Sequence, residues 1–144
     1  MNPPPLPCFD DLPLDKSGPP GNAWGLWGKD DELGMLNRIT PATVRAAASE
    51  IREGVRISLD WPLNKPTFPT FDRQRFQHEI LTKAPMTMND DVIHINTQSS
   101  TQWDGFRHYG YQGAKIFYNG HKQGEFEPGT GPLGIDSMVT PIVR

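Results

Sequence analysis

Proline governs the start of this chain: MNPPPLPCFDDLPLDKSGPPGN, residues 1–22, alternates it with acidic and small residues. Each ring fixes φ and removes an amide donor, so the stretch is held extended and forms neither a regular helix nor a central strand. We read it as an N-terminal arm, with Leu6, Phe9, Leu12 and Leu14 available to lie over a groove. Fifteen prolines and fourteen glycines in 144 residues extend the same constraint along the chain, leaving long loops to carry much of one domain over residues 23–144. Loops of that kind line sites.

Regular elements fit between these breaks. Thr40-Pro41 opens a helix, threonine as N-cap and proline at the first helical position, with Val44, Ala47, Ala48 and Ile51 on one face. The spacing predicts a helix from Pro41 to about Glu53, closed by Gly54. VRISLDW then alternates Val55, Ile57 and Leu59 against Arg56, Ser58 and Asp60, the period of a half-buried strand. A helix joined to a strand by one glycine indicates an α/β class. Residues 62–78 read as a basic loop with Phe68, Phe71 and Phe76; further strands are expected at Asp91–Thr97 and Lys115–Tyr118, and the tail SMVTPIVR carries no signal.

A chain 35% hydrophobic and 22% charged fits one soluble globular domain. Its net charge of -3 draws it to neither nucleic acid nor an anionic membrane, so a small molecule is the expected partner. Cys8 is alone, which excludes an intrachain disulfide and suits a reducing compartment. With no apolar run near ~20 residues and no signal-peptide pattern, a cytoplasmic protein is expected. GxGxxG, Walker, CxxC and GxSxG patterns are all absent, which removes the usual nucleotide, iron–sulfur and serine-hydrolase readings.

QSSTQWDGFRH places Gln98, Gln102, Asp104 and His108 at offsets of four, two and four, in a chain with four histidines. Three readings stand. Histidine and carboxylate hold divalent metals, but a glutamine carbonyl is a weak ligand, so two glutamines make a poor zinc set. Without metal, Asp104 would orient His108 as a general base while the glutamine amides polarise a carbonyl. The plainest alternative has Asp104 capping a turn, His108 half-buried and satisfied, and the glutamines bonded to backbone. His94 reads as a structural strand residue, His121 as an exposed loop residue and His78 as a solvated side chain.

NAWGLWGKDDELGMLNRITPATVRAAASEIREGVRISLDWPL resembles the N-terminal signature of the cyclase or kynurenine formamidase-like superfamily, in particular its fungal-type branch, where WG-x-x-DE-x-G-x-L-N precedes a threonine-proline helix and a strand. NTQSSTQWDGFRH stands where that family carries H-x-G-T-H-x-D-x-P-x-H. Gln98 and Gln102 replace its first two histidines, Ser100 its glycine and Phe106 its proline, while Thr101, Asp104 and His108 are retained. The branch with both glutamines is similar to this form.

The resemblance implies hydrolysis of an amide or lactam C–N bond, arylformamidase-like, of which N-formylkynurenine in tryptophan catabolism is the best-known substrate. It implies Asp104 and His108 as catalytic groups, and Trp103, Thr101 and Phe106 at the substrate. Zinc or manganese, where bound, would fall to Asp104, Gln98, Gln102 and His108. The fold implied is the front part of a swivelling β/β/α domain, and the assembly a homodimer exchanging arms and loops. The likeness runs from Asn22 to about Ser137, the front half of a full-length member, and LGIDSMVTPIVR then diverges. The expectation is therefore a truncated domain with exposed sheet edges. Its alternative function is a non-catalytic cyclase-like protein that binds a small ligand or pairs with a full-length relative.

Overall fold

The structure, a computed structural model, describes residues 4–143. It is a mixed α/β chain with one two-stranded antiparallel sheet among the described residues. Contacts divide the described residues into two compact units, 4–54 with 104–143, and 55–103. No described helix is long and apolar enough to cross a membrane.

In the first unit, residues 14–22 close on themselves around Asn22. Its Nδ2 donates to the carbonyls of Asp15 (2.9 Å) and Pro19 (2.7 Å), its Oδ1 accepts from Asp15 N–H (3.3 Å), and Leu14 N–H donates to its carbonyl (2.9 Å). A side-chain amide here does what a ladder cannot do in a proline-rich segment. Helix α1, Pro41–Ala48, starts at the expected cap: the Thr40 hydroxyl accepts from Thr43 N–H at 3.2 Å. It ends five residues before the predicted Glu53. The Ser49 hydroxyl donates to the Ala46 carbonyl (2.6 Å), and the N–H groups of Ser49, Glu50 and Ile51 all reach back three residues, tightening the last turn until the helix stops.

Lys115–Tyr118 forms no strand. Ile116 makes isolated bridges to Tyr111 and Lys122, because Lys115 and Asn119 take positive φ (55° and 53°) on either side and turn the chain. The tail is an additional helix, α2, Asp136–Val143, which Thr140-Pro141 disguises in the sequence. Leu133 (0% exposed) and Met138 (3%) are the buried apolar residues among those described, and both belong to this unit. Phe117 and Phe126 meet edge to face at 4.9 Å.

The second unit is built on a hairpin. Strand β1, Gln77–Thr82, pairs antiparallel with β2, Asn89–His94, from Gln77↔His94 to Thr82↔Asn89. β1 begins inside the segment that reads as loop, at Gln77 and His78, and runs on through residues 79–82, to which the sequence assigns no element; β2 ends before the predicted Thr97. Asn96 stops it: its Oδ1 accepts from Gln98 N–H (3.0 Å) and its carbonyl from Ser99 N–H (2.8 Å), winding Thr97–Ser99 into a 3-10 turn. Residues 55–61, the expected strand after α1, make no ladder within the described residues; the alternating apolar pattern is present but stands in solvent.

Candidate functional site

The boundary between the units falls between Trp103 and Asp104, so the polar motif is distributed over both. In residues 55–103, the Gln98 carbonyl accepts from Arg73 Nη1 (3.1 Å), and the buried Ser99 hydroxyl donates to the Gln74 carbonyl (3.3 Å). The Thr101 hydroxyl accepts from Trp61 N–H at 2.9 Å. Trp103 is 63% exposed. These tethers fix the turn that carries Gln98, Thr101 and Gln102.

In the other unit, Asp104 and His108 come together: His108 Nε2 lies 3.8 Å from Asp104 Oδ2, each side chain about one-third exposed. That spacing is an ion-pair distance, beyond direct hydrogen bonding. The turn between them is held from below. His108 N–H donates to the Gly105 carbonyl and Arg107 N–H to the Leu133 carbonyl, both at 3.1 Å, while Arg107 Nη1 reaches the Thr130 carbonyl at 3.1 Å. Gly105 is required there, since a Cβ would sit 2.7 Å from Leu133 O and from Ile135 N. Phe106 stacks on Tyr118 (4.5 Å between centroids) over Gly34, whose φ of +54° and missing Cβ leave room for the ring.

The WGKDDELGMLN segment explains this support, and its acidic residues are the ones that motif reasoning left without a role. Asp31 accepts from the Tyr118 hydroxyl (2.8 Å), Gly34 N–H (2.7 Å) and Asn37 Nδ2 (2.6 Å). Burial, reinforced by the Asp31 carboxylate, pushes the Tyr118 phenol well above its ordinary value. Glu32 accepts from Leu133 N–H, and Asn119 Nδ2 donates to the carbonyls of Gly28, Lys29 and Asp31 at 3.0–3.2 Å. The signal available beforehand was the density of polar residues beside glycines in Asp30–Gly34.

Past His108, Gly110, Tyr111, Lys115, Ile116, Phe117 and Gln123 line an open cavity of about 320 Å³. Two of the other histidines are engaged elsewhere. His78 is exposed as expected but is not in a loop: it sits on β1 with Nε2 2.5 Å from Asp91 Oδ1 of β2. His121, read as exposed, is 22% exposed with Nδ1 2.6 Å from Glu125 Oε2; that bond first, then Lys122 N–H, holds the Glu125 carboxyl below its usual range.

A zinc centre needs three or four convergent protein donors. Among the described residues no three or more of His, Cys, Asp and Glu gather in that way. Asp104 and His108 are two donors, and an amide oxygen is a weak third. This set falls short of a zinc centre.

The mixed α/β architecture is consistent with a cyclase-like superfamily. A solved structure described as a novel cyclase superposes with a TM-score of 0.71 at 33% identity, over 83% of this chain and 44% of that one. The chain thus spans less than half the length of that cyclase. No protein-family profile matches the chain, and none of the curated proteins does.

Proposed function

We propose that the chain is a cyclase-family hydrolase of an amide or lactam C–N bond, arylformamidase-like and suited to a small formylated amine such as N-formylkynurenine. The observation that carries the reading is the Asp104–His108 pair, set on a turn that Leu133 and Phe106 hold in place. A 33% identical cyclase supports the class. His108 takes a proton from water as its oxygen attacks the carbonyl carbon, and Asp104 stabilises the imidazolium. The C–N bond then breaks, and the imidazolium returns its proton to the departing amine. On the sequence resemblance alone, and not on any placement in the fold, Gln98 and Gln102 would polarise a carbonyl, with Thr101, Trp103 and Phe106 toward substrate.

Purified chain assayed on N-formylkynurenine and small lactams, with and without zinc or manganese, tests this directly. His108→Ala lowers kcat by about 10²–10⁴-fold and Asp104→Ala lowers it in the same direction; activity unchanged in both removes the assignment. The two-donor site favours a second reading, a non-catalytic cyclase-like chain that binds a small ligand or pairs with a longer relative. Saturable ligand binding with no turnover selects it.

A further inference from the structure

Residues 51–68 are exposed without interruption, and Gly54 to Pro62 runs with no turn or bend. Within that stretch Val55, Ile57, Leu59 and Trp61 are 71%, 74%, 88% and 59% exposed. No backbone-to-backbone hydrogen bond reaches residues 55–61 among those described. Trp61 N–H is committed to the Thr101 hydroxyl. Successive main-chain groups of an extended segment face opposite edges, so that bond leaves open the edge formed by Arg56, Ser58 and Asp60. An open edge beneath a row of apolar side chains is a template for another strand.

VRISLDW is its own complement. Laid antiparallel on a second VRISLDW with a two-fold axis through Ser58, it sets Arg56 opposite Asp60, Ile57 opposite Leu59 and Val55 opposite Trp61. Parallel pairing would oppose Arg56 to Arg56, and a two-residue slip would lose both charge pairs. We propose that two copies of this chain associate through residues 55–61 as an antiparallel strand pair centred on Ser58. The open edge makes Ser58 and the Arg56–Asp60 pairs hydrogen-bonded positions. Ile57–Leu59 and Val55–Trp61 then occupy the non-hydrogen-bonded positions, where side chains approach most closely. Two apolar rows merge on one face, and the charges neutralise each other on the other. The interface is independent of the hydrolase reading and would stand if that failed.

Sedimentation or light scattering of the whole chain across a concentration series tests it. The wild type forms a dimer, whereas Arg56→Asp or Asp60→Arg alone opposes like charges twice and weakens it about tenfold. An equimolar mixture of the two variants restores a dimer, because each supplies the charge the other lacks; recovery also shows that both remain folded. Ser58→Cys, made with Cys8→Ser to remove the exposed native thiol, gives a disulfide-linked dimer on oxidation, since hydrogen-bonded pairs hold Cα atoms about 5.5 Å apart. A wild type that stays monomeric, or an edge that binds only a different chain, overturns the proposal. So does a dimer indifferent to both charge variants, or a mixture that fails to recover.

Discussion

Residues 4–54 with 104–143 and residues 55–103 come from one loop-rich chain, yet they are held together by different means. The first group buries Leu133 and Met138 and ties distant segments through Asp31, Glu32, Asn119 and Tyr118. The second buries Ser99, keeps its large apolar side chains largely in solvent, and relies on one hairpin, the Lys83–Asp90 pair (2.9 Å) and tethers to the 96–101 turn. Cooperative burial can hold the Asp104–His108 pair in a fixed turn. A hairpin with open edges is better suited to contact.

Substitutions can break or sharpen that contrast. Leu133→Ala removes a fully buried side chain and should cost about 3 kcal/mol in urea unfolding, while Ile80→Ala, 60% exposed on β1, should cost less than about 1 kcal/mol. Comparable losses would show that burial is not what distinguishes the units. Gly105→Ala forces a Cβ against main-chain atoms; a loss of about 2 kcal/mol is expected, together with displacement of the Asp104–His108 turn, visible as changed imidazole NMR shifts.

Tyr118→Phe should cost about 1 kcal/mol by removing the bond to Asp31. Because the folded phenol titrates above its unfolded value, its contribution is complete below about pH 10 and declines as pH rises through the folded value. The variant should therefore flatten the alkaline limb of a stability profile. Glu125 has the opposite sign. Its depressed value gives a contribution present above the ordinary carboxylate range and lost as pH falls through the folded value, so Glu125→Gln should slightly flatten the acid limb. This pair, with Glu125 well exposed, gives the smallest change of the series.

What the sequence revealed followed from local chemistry. The Thr40-Pro41 cap is complete within four residues, and α1 begins there. The helix end was hidden because Ser49 competes for a carbonyl at a position no periodicity marks. β1 went unseen since QHEILT follows a charged, phenylalanine-rich loop, and its order comes from pairing with β2. The Asp104–His108 pair was legible in its four-residue spacing. Its foundation was not: Asp31 lies 87 residues from Tyr118 and Glu32 lies 101 from Leu133, distances that only tertiary folding closes.

Asn119 precedes a glycine, and Asn-Gly is the dipeptide most prone to deamidation, through attack of the glycine nitrogen on the side-chain amide. Here the nitrogen is occupied, Gly120 N–H donating to the Phe117 carbonyl at 3.0 Å, and the amide is spread over three carbonyls. Folding therefore protects the bond chemically as well as structurally. Each interval spent unfolded exposes it, and conversion to aspartate places an anion among acceptors that formerly received its protons. Deamidation of Asn119 is thus expected to accumulate with time spent unfolded rather than with age in the native state.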